Sequence, residues 1–190
     1  MPRADPLPPE ERRRAIIKAT RPLLIANGGR FTTREVAAAA GIAEGTIFRV
    51  FASKTELLHA TVADILDPTE ICRRIAALPG TVSLTRHLAA LIATMAGDGD
   101  AVLAAGQLAA GCPATDKPGQ PSFQARALVI RDAVADSLAP WAAELRLPAR
   151  QAATLIQGVV LSVLHPIFHD PGLRDPELLA DLLVHGLRKD

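Results

Sequence analysis

The stretch FTTREVAAAAGIAEGTIFRVFASKTELL, residues 31–58, decides the fold. Thr32 and Glu35 have the S/T-x-x-E spacing of a capping box, in which two side chains satisfy free amides at a helix start. Gly41 follows a run of alanines, and its freedom to adopt a positive φ suits a tight turn between helices. The stretch therefore predicts two short helices joined by a turn.

The second short helix, about 44–51, has two faces of different chemistry. At 100° per residue Ile47 and Phe51 lie on one side, where they can anchor the helix on its neighbours. The opposite arc carries Thr46 and Arg49. A hydroxyl and a guanidinium turned outward suit a major groove, where arginine reads guanine or clamps a phosphate. The spacing therefore predicts a helix-turn-helix with this helix as the reading element.

A second capping box follows directly. Ser53 and Glu56 repeat the S/T-x-x-E spacing and open a further helix, about 54–66. The amides at such a helix start, with Lys54 beside them, form an anion site that suits a DNA phosphate. A well-capped helical hairpin without any role on DNA is the alternative interpretation of these residues.

The distribution of charge supports a nucleic-acid-binding head. Residues 1–60 carry ten lysines and arginines against six aspartates and glutamates, whereas residues 61–190 carry eleven against fourteen. A basic first third on a mildly acidic body is typical of a DNA-reading domain. Taken alone, this difference is as easily a matter of chance.

Composition excludes several other classes. Hydrophobic residues make up 49% of the chain and aromatic residues 3%, so the core must be aliphatic. No apolar run is long enough to span a membrane, and the first residues lack a secretory signal, so a cytoplasmic location is expected. Cys72 and Cys112 are too far apart in sequence to indicate a disulfide framework or a zinc site. No catalytic or phosphate-loop motif occurs, and neither enzymatic activity nor a cofactor is expected.

Helical periodicity covers almost the whole chain and predicts an all-α fold. We expect two domains, 1–60 and 61–190, the first for DNA binding and the second a helical body. Two of the body helices are predicted to be long, about 123–146 and about 149–168, with Pro140 as a kink in the first. The His165 and His169 pair is four residues apart, but no third ligand is evident and no metal is expected.

The N-terminal motif resembles the TetR (tetracycline repressor) family. Its head reads roughly T-T-x-x-[IV]-A-x-x-A-G-[VI]-x-x-G-x-[IL]-[YF]-x-x-F-x-x-K-x-x-L, and the resemblance covers about residues 14–60. The positions that match are Thr32, Thr33, Val36, Ala37, Ala40, Gly41, Ile42, Gly45, Ile47, Phe48, Phe51, Lys54 and Leu57.

Four positions depart from the family's frequent residues. Ala43 stands where a serine often caps the recognition helix. The absence of this cap costs roughly 0.5–2 kcal/mol of helix stability. Phe48 replaces a tyrosine and Val50 a histidine, so two possible phosphate donors are absent. Glu44 places a negative charge near DNA. Motif and resemblance together predict DNA contacts from Thr32, Thr33, Arg34, Glu44, Gly45, Thr46, Phe48, Arg49, Val50 and Lys54.

The resemblance also implies a homodimer and a small-molecule effector. Members of the family commonly pair their last two long helices in a four-helix bundle, and a wholly internal core is the alternative. The apolar side chains and the small-residue strip of these helices give the predicted dimer residues as Leu155, Gly158, Val159, Ser162, Val163, Leu179, Leu183 and Leu187. Bulk or isolated polarity on body helices gives the predicted effector residues as Met95, Gln107, Phe123 and Trp141.

The function that these features predict is a transcriptional regulator, a repressor more readily than an activator. It would bind a palindromic double-stranded DNA operator as a homodimer and leave it on binding an apolar or amphipathic effector. Three rivals stay open: a ligand-independent architectural DNA binder, a helical enzyme and a protein-binding adaptor. Retardation of DNA at low salt, sequence discrimination and a ligand effect on binding separate them.

Overall fold

The computed structural model describes residues 8–80, 83–111, 123–168 and 170–187, and over these ranges the chain is helical. The all-α class that the periodicity predicts is confirmed. In chain order the helices are α1 (Pro9–Asn27), α2 (Thr33–Ala40), α3 (Glu44–Val50), α4 (Lys54–Leu66), α5 (Thr69–Ala76), α6 (Leu84–Ala96), α7 (Gly99–Gly111), α8 (Phe123–Ser137), α9 (Ala149–Leu164) and α10 (Pro176–Leu187).

Two prolines act differently from one another in their helices. Helix α1 continues through Pro22, whose nitrogen has no proton to donate to the carbonyl of Lys18, an exposed residue one turn earlier. The helix predicted over about 123–146 instead ends at Ser137, and Pro140 lies in a short 3-10 turn, Ala139–Trp141. The prediction of a kinked long helix is therefore wrong, because a proline that cannot donate to the preceding turn ends α8 here.

Helix α9 also ends earlier than predicted, at Leu164 instead of about residue 168. His165 adopts φ −69° and ψ 132°. This extended conformation is the one favoured before a proline, because the ring of Pro166 disfavours a helical residue ahead of it. A separate 3-10 turn, Pro166–Phe168, follows. His169 and Cys112 lie outside the described residues.

The chain divides into two compact units of internal contact. The first contains α1 to α4, together with the part of α7 from residue 104 onward. The second begins at residue 67 and contains α5, α6, the start of α7 up to residue 103, and α8 to α10. The predicted division into a DNA-binding domain, 1–60, and a helical effector-binding and dimerisation domain, 61–190, stays a prediction.

In the first unit, α1 packs against α2, α3 and α4, and α2 packs against α3. Two buried hydroxyls satisfy themselves within their own helices: Thr20 donates to the Ile16 carbonyl and Thr61 to the Leu57 carbonyl, both at 2.8 Å. Burial of apolar side chains supplies the stabilisation, about 1.5–3 kcal/mol for each large one. The core of this unit includes Ile16, Leu24, Phe31, Val36, Ile47, Phe51, Leu57, Val62 and Ile65.

In the second unit, α10 packs on α6, and α8 packs between α5 and α9. Its aliphatic core draws on each of these helices and includes Ile75, Leu88, Leu91, Ile130, Val134, Leu138, Ile156, Val160 and Ala180. No described helix is by itself long and apolar enough to cross a membrane. Helix α6 and the part of α7 up to Leu108 have that length and composition only when taken together across a bend.

Candidate functional site

The start of α2 is fixed by the predicted capping box, which is confirmed. The Thr32 hydroxyl accepts from the Glu35 amide at 3.2 Å, and the Glu35 carboxylate accepts from the Thr32 amide at 2.6 Å. The Thr32 hydroxyl also donates to that carboxylate at 2.9 Å. These hydrogen bonds from Thr32, the amide first, hold the pKa of the exposed Glu35 carboxyl below its ordinary value. The first helix of the pair therefore begins at a defined residue.

The turn between α2 and α3 depends on Gly41. Its φ of 65° and ψ of 32° lie in the left-handed region, where a side chain is unfavourable. The amide of Gly41 donates to the Ala38 carbonyl at 3.2 Å, and the amide of Ile42 donates to the Ala37 carbonyl at 3.0 Å. These bonds close the end of α2 and direct the chain into the next helix.

Helix α3 presents one face to the core and the other to solvent. Ile47 and Phe51 are fully buried, whereas Arg49 is exposed and the ring of Phe48 is 52% exposed. Thr46 is half-buried beside them. An exposed aromatic ring and guanidinium on a seven-residue helix have no structural use in the protein's own core. They are available to a partner molecule.

A hydrogen bond joins the starts of the two helices. The Thr33 hydroxyl, in the first turn of α2, donates to the Glu44 carboxylate, in the first turn of α3, at 2.5 Å. Ala43 makes no side-chain cap at the start of α3, as its residue type predicts. The carboxylate of Glu44 lies where the positive end of the helix dipole favours it. Both residues belong to the predicted DNA-contacting set, and the structure brings them together.

The second predicted capping box is confirmed, with one change of partner. The amide of Glu56 donates to the Ser53 hydroxyl at 3.1 Å. The carboxylate of Glu56 accepts from the amide of Ala52 at 2.7 Å, one residue before the serine. Two of the amides near the start of α4 are therefore already hydrogen-bonded within the chain and are not free for an anion. Lys54 is the cation beside them.

Two cations near this site lie over aromatic rings. The Arg13 guanidinium is 4.4 Å from the centroid of Phe51 and its Nη1 is 3.8 Å from a Glu56 carboxylate oxygen. The Lys54 ammonium is 5.1 Å from the centroid of Phe31. Cation–π contacts at exposed sites are worth about 0.5–1 kcal/mol each. Sequence spacing gave no signal for either contact, because the partners are far apart along the chain.

The predicted DNA-contacting residues share one feature: all lie on α2, on α3, at the cap of α2 or at the start of α4, and none of them is fully buried. Gly45 adds to this, since a Cβ placed on it would meet nothing within 4 Å, so the backbone is open to close approach. Exposed side chains in this set are Thr32, Arg34, Glu44, Phe48, Arg49 and Lys54, with Thr33, Thr46 and Val50 half-buried. The surface offers two guanidinium groups, of Arg34 and Arg49, and one ammonium, together with hydroxyls and one engaged carboxylate.

The predicted effector residues fall in three places. Met95 and Phe123 line one small cavity of about 60 Å³ in the second unit, together with Arg126 and Gln157. Trp141 lines a different groove of about 500 Å³. Gln107 is exposed and lines neither. In the sequence these residues were selected by bulk and polarity alone. Packing between distant segments decides which of them line the same cavity.

The predicted dimer residues on α9 leave one side of the helix uncovered within the chain. Leu155 is 47% exposed, and Gly158 and Ser162 are exposed. Val159 and Val163 are half-buried. In sequence, α9 is apolar on nearly all sides. The described part of the chain covers only one side of it.

On α10 the exposed apolar side chains are neighbours of the predicted ones. Leu179 is 6% exposed and packs in the chain's own core, with Leu183 against it. Leu178 and Leu182 are 40% and 55% exposed. The side chain of Leu187 lies outside the described set. The outward leucines of α10 are therefore Leu178 and Leu182.

Two short helices joined by a left-handed glycine, the second exposing an arginine and an aromatic ring, define a helix-turn-helix DNA-binding protein. Residues 16–61 match the family model of the bacterial regulatory proteins of the tetR family. The N-terminal part of this chain is thus a helix-turn-helix domain similar to the DNA-binding domain of TetR-family transcriptional regulators.

Solved structures share the fold over nearly the whole chain. A TetR-family transcriptional regulator from Agrobacterium tumefaciens is 17% identical, with a TM-score of 0.72, covering 96% of this chain and 100% of that one. SmeT, the repressor of the Stenotrophomonas maltophilia multidrug efflux pump SmeDEF, is 21% identical, with a TM-score of 0.58, covering 94% and 91%.

The superantigen PfiT is also similar, at 22% identity and a TM-score of 0.61, covering 97% of this chain and 100% of that one. No curated protein sequence matches the chain at a significant level. At these identities the likeness concerns the fold alone, so arguments about function rest on the residues of the site.

Proposed function

We propose that the protein is a repressor that binds a palindromic operator as a homodimer and is released by a small apolar or amphipathic effector. The observation that carries the proposal is the outward face of α3. Arg49 and the 52% exposed Phe48 stand on a helix whose opposite side is anchored by two fully buried residues, Ile47 within the helix and Phe51 directly after it. Such a helix enters a major groove while its buried face holds it in register.

The chemistry of this face suits both reading and positioning. Arg49 supplies a bidentate donor pair that matches the O6 and N7 atoms of guanine. Thr46 supplies a methyl and a hydroxyl for a thymine methyl or a phosphate, and Lys54 supplies a point charge for a phosphate. The hydrogen bond from Thr33 holds the Glu44 carboxylate in one position. This limits its repulsion of DNA phosphates.

Two heads on one operator require a dimer, and we place its interface on α9 and α10. The exposed face of α9 has a leucine, Leu155, and two small residues, Gly158 and Ser162, which allow close helix approach. On α10 the exposed Leu178 and Leu182 provide the apolar area. A second copy of the chain is the occupant that matches, because the operator symmetry of a helix-turn-helix dimer mirrors a two-fold axis.

The effector is placed in the cavity that Met95 and Phe123 line. Its volume of about 60 Å³ is below the roughly 300–1,000 Å³ typical of ligand pockets, so binding requires the body to open. Met95 is a flexible, unbranched side chain that adapts to such a change. An effector that prefers the opened form by about 10- to 100-fold supplies about 1.4–2.8 kcal/mol of coupling, and operator DNA then weakens effector binding equally.

The proposal is tested first with DNA alone. Full-length protein is used to select duplexes from a random library, and the expected product is an inverted repeat with half-sites related by a helical turn or its multiples. Arg49→Ala is the matched variant, which should retain duplexes at low salt without enriching the repeat. Retention of all sequences alike by wild type would favour an architectural binder, and retention of none an adaptor.

A second experiment tests release. Lipophilic compounds are screened for loss of the complex with the selected repeat, and a compound that releases DNA should itself bind more weakly when operator is present. A compound that binds tightly while DNA affinity stays constant would remove the sensor role and leave the DNA-binding role intact. Steric block of a promoter needs no further contact, which is why repression is preferred to activation. The proposal assigns no catalysis and no cofactor, and it places the protein in the cytoplasm with the DNA.

A further inference from the structure

A second groove in the body has the features of a binding site of its own. It has a volume of about 500 Å³, within the range of small-molecule sites, and lies between the end of α5, the start of α6, the end of α8 and the turn that carries Trp141. Apolar side chains such as Ile75, Leu78 and Pro140 form most of its lining. It shares no residue with the cavity of Met95 and Phe123.

His87 gives this groove an unsatisfied polar atom. The residue is 4% exposed, lines the groove, and its Nδ1 is buried without a hydrogen-bond partner. A buried polar atom left unpaired costs about 1–3 kcal/mol, so a partner for it adds stability. The ring is fixed in place beside Trp141, with the two centroids 4.7 Å apart and the planes tilted by 34°.

The hydrogen bonds of Ser137 define which kind of partner Nδ1 needs. The Ser137 hydroxyl donates its single proton to the Val134 carbonyl at 2.8 Å. Its oxygen is also 3.2 Å from His87 Nε2. Because the serine proton is committed to Val134, we assign His87 the Nε2–H tautomer, in which the serine oxygen accepts. Nδ1 then carries a lone pair and requires a donor. Burial lowers the pKa of His87, which keeps the ring neutral and this acceptor intact at neutral pH.

The charged side chain in the lining of the groove determines the sign of the charge that a ligand should carry. Asp136 is exposed, and among the described residues that line the groove it is the charged side chain, with no lysine or arginine beside it in that lining. Cys72, also in the lining, stays a neutral thiol because burial raises its pKa. An apolar groove with an unpaired acceptor buried in its wall and an exposed carboxylate in its lining complements a cation with an apolar body.

We propose that this groove binds a small protonated amine with an apolar ring, which donates a hydrogen bond to His87 Nδ1 and places its positive charge near Asp136. The ring occupies the apolar lining beside Trp141. The site is separate from the proposed effector cavity.

The test uses three probes of similar size with full-length protein at neutral pH. The probes are 2-phenylethylamine, its N,N,N-trimethyl derivative and 3-phenylpropionate. Binding is measured by calorimetry and by the fluorescence of Trp141, the single tryptophan of the chain. The amine should bind and shift the emission. The quaternary ammonium keeps the charge but has no N–H, and should bind about tenfold more weakly, a difference of about 1.4 kcal/mol. The carboxylate should not bind at millimolar concentration.

Variants assign the two contacts. His87→Phe keeps a ring beside Trp141 but removes the acceptor, so the amine should lose affinity and the preference over the quaternary ammonium should vanish. Asp136→Asn, at an exposed position, should weaken both cations several-fold. Glu177→Gln removes an exposed carboxylate on α10, outside the groove, and should change nothing.

Should His87→Phe fail to fold, the nitrogen chemical shifts of His87 in wild type replace it, and Nδ1 should move on addition of the amine while Nε2 stays bonded to Ser137. Equal binding of amine and carboxylate, or unchanged amine affinity in both variants, overturns the proposal. So does the absence of any heat or emission change with the amine at millimolar concentration.

Discussion

The hydroxyl of Thr33 donates to the carboxylate of Glu44 at 2.5 Å, and this bond joins the first turns of the two helices of the DNA-binding motif. The residues are eleven positions apart, on either side of the Gly41 turn. The bond fixes the start of α3, which has no side-chain cap from Ala43. It also holds the one carboxylate on the reading helix in a defined place.

Removal of the Thr33 hydroxyl should loosen the start of the reading helix. We expect Thr33→Val to lower the free energy of unfolding by about 0.5–1.5 kcal/mol, the net value of one hydrogen bond. Glu44→Gln keeps an acceptor oxygen, so it should cost less and should strengthen DNA binding at low salt by removing a negative charge. Urea unfolding and DNA titration at two salt concentrations measure these effects. Thr46→Val is the control for the unfolding measurement alone, and the same loss of unfolding free energy in both threonine variants would contradict the prediction.

Arg49 and Lys54 should affect DNA binding in different ways. Arg49→Ala should weaken binding to the selected repeat by about 1–3 kcal/mol, because a base-reading donor pair is lost. Lys54→Ala should weaken all duplexes alike and reduce the salt slope by about one, as expected for a phosphate contact. The lysine also lies over Phe31, so its loss should lower stability by about 0.5–1 kcal/mol. If the arginine variant binds the repeat as wild type does, α3 is not the reading helix.

Two glycines of the motif should respond oppositely to alanine. Gly41 has a φ of 65°, so Gly41→Ala should cost about 1–2 kcal/mol of unfolding free energy. Gly45 lies in α3 with open space around a new Cβ, so Gly45→Ala should add up to about 1 kcal/mol. The same methyl group would stand between α3 and the groove, and operator affinity should fall. Thermal unfolding and DNA titration of both variants check this, and tighter operator binding by Gly45→Ala would count against close approach at this residue.

Leu155 and Val160 separate assembly from folding. Wild type should sediment at about twice the chain mass of 20.0 kDa. Leu155 is 47% exposed, so Leu155→Glu should leave a folded monomer with unchanged helical content. Val160 is 3% exposed, and Val160→Glu should unfold the chain because it buries an unpaired charge. Gln124→Glu, at an exposed position of α8, should remain a dimer. A Leu155→Glu dimer of wild-type stability would exclude this face of α9 as the interface.

Stability should decrease in mild acid because of His87. Burial lowers its pKa from the ordinary 6.5, so the unfolded chain takes up a proton at a pH where the folded chain does not. The contribution of His87 to the free energy of unfolding should be complete above about pH 6.5. Below that pH the free energy of unfolding should fall, by at most about 1.4 kcal/mol per pH unit. Urea unfolding at a series of pH values measures this.

The His87 variant provides the comparison for that series. His87→Phe should flatten the dependence between about pH 5 and 6.5, where the carboxylates of Asp67 and Asp132, with lowered pKa values, stay ionised. His185→Phe, at an exposed site on α10, should not flatten it. An identical slope in wild type and His87→Phe would place the responsible group elsewhere.

Local rules in the sequence were enough for the DNA-binding motif. Both capping boxes, the Gly41 turn and the burial of Ile47 and Phe51 depend on residues within a few positions of each other, so spacing alone predicts them. Local sequence predicts the helix ends near Pro140 and Pro166 less well. A proline only removes one donor and disfavours one conformation, and the chain continues through Pro22 while it stops at the other two.

The faces of the body helices needed the tertiary structure. Helix α9 is apolar on nearly all sides in sequence, and only packing on α8 and α6 turns Ile156 inward and leaves Leu155 outward. In the same way α10 buries Leu179 and exposes Leu182 because of its contact with α6.

The sequence by itself thus determined the fold class, the motif and its capped ends, because these follow from hydrogen bonds and periodicity over one or two helical turns. Only the tertiary structure decided which apolar face is covered, that Arg13 lies over Phe51, and that His87 meets Ser137 and Trp141 across a groove. Those contacts join residues that are tens of positions apart. Their energies come from burial and desolvation, which the whole packed chain sets and no local pattern records.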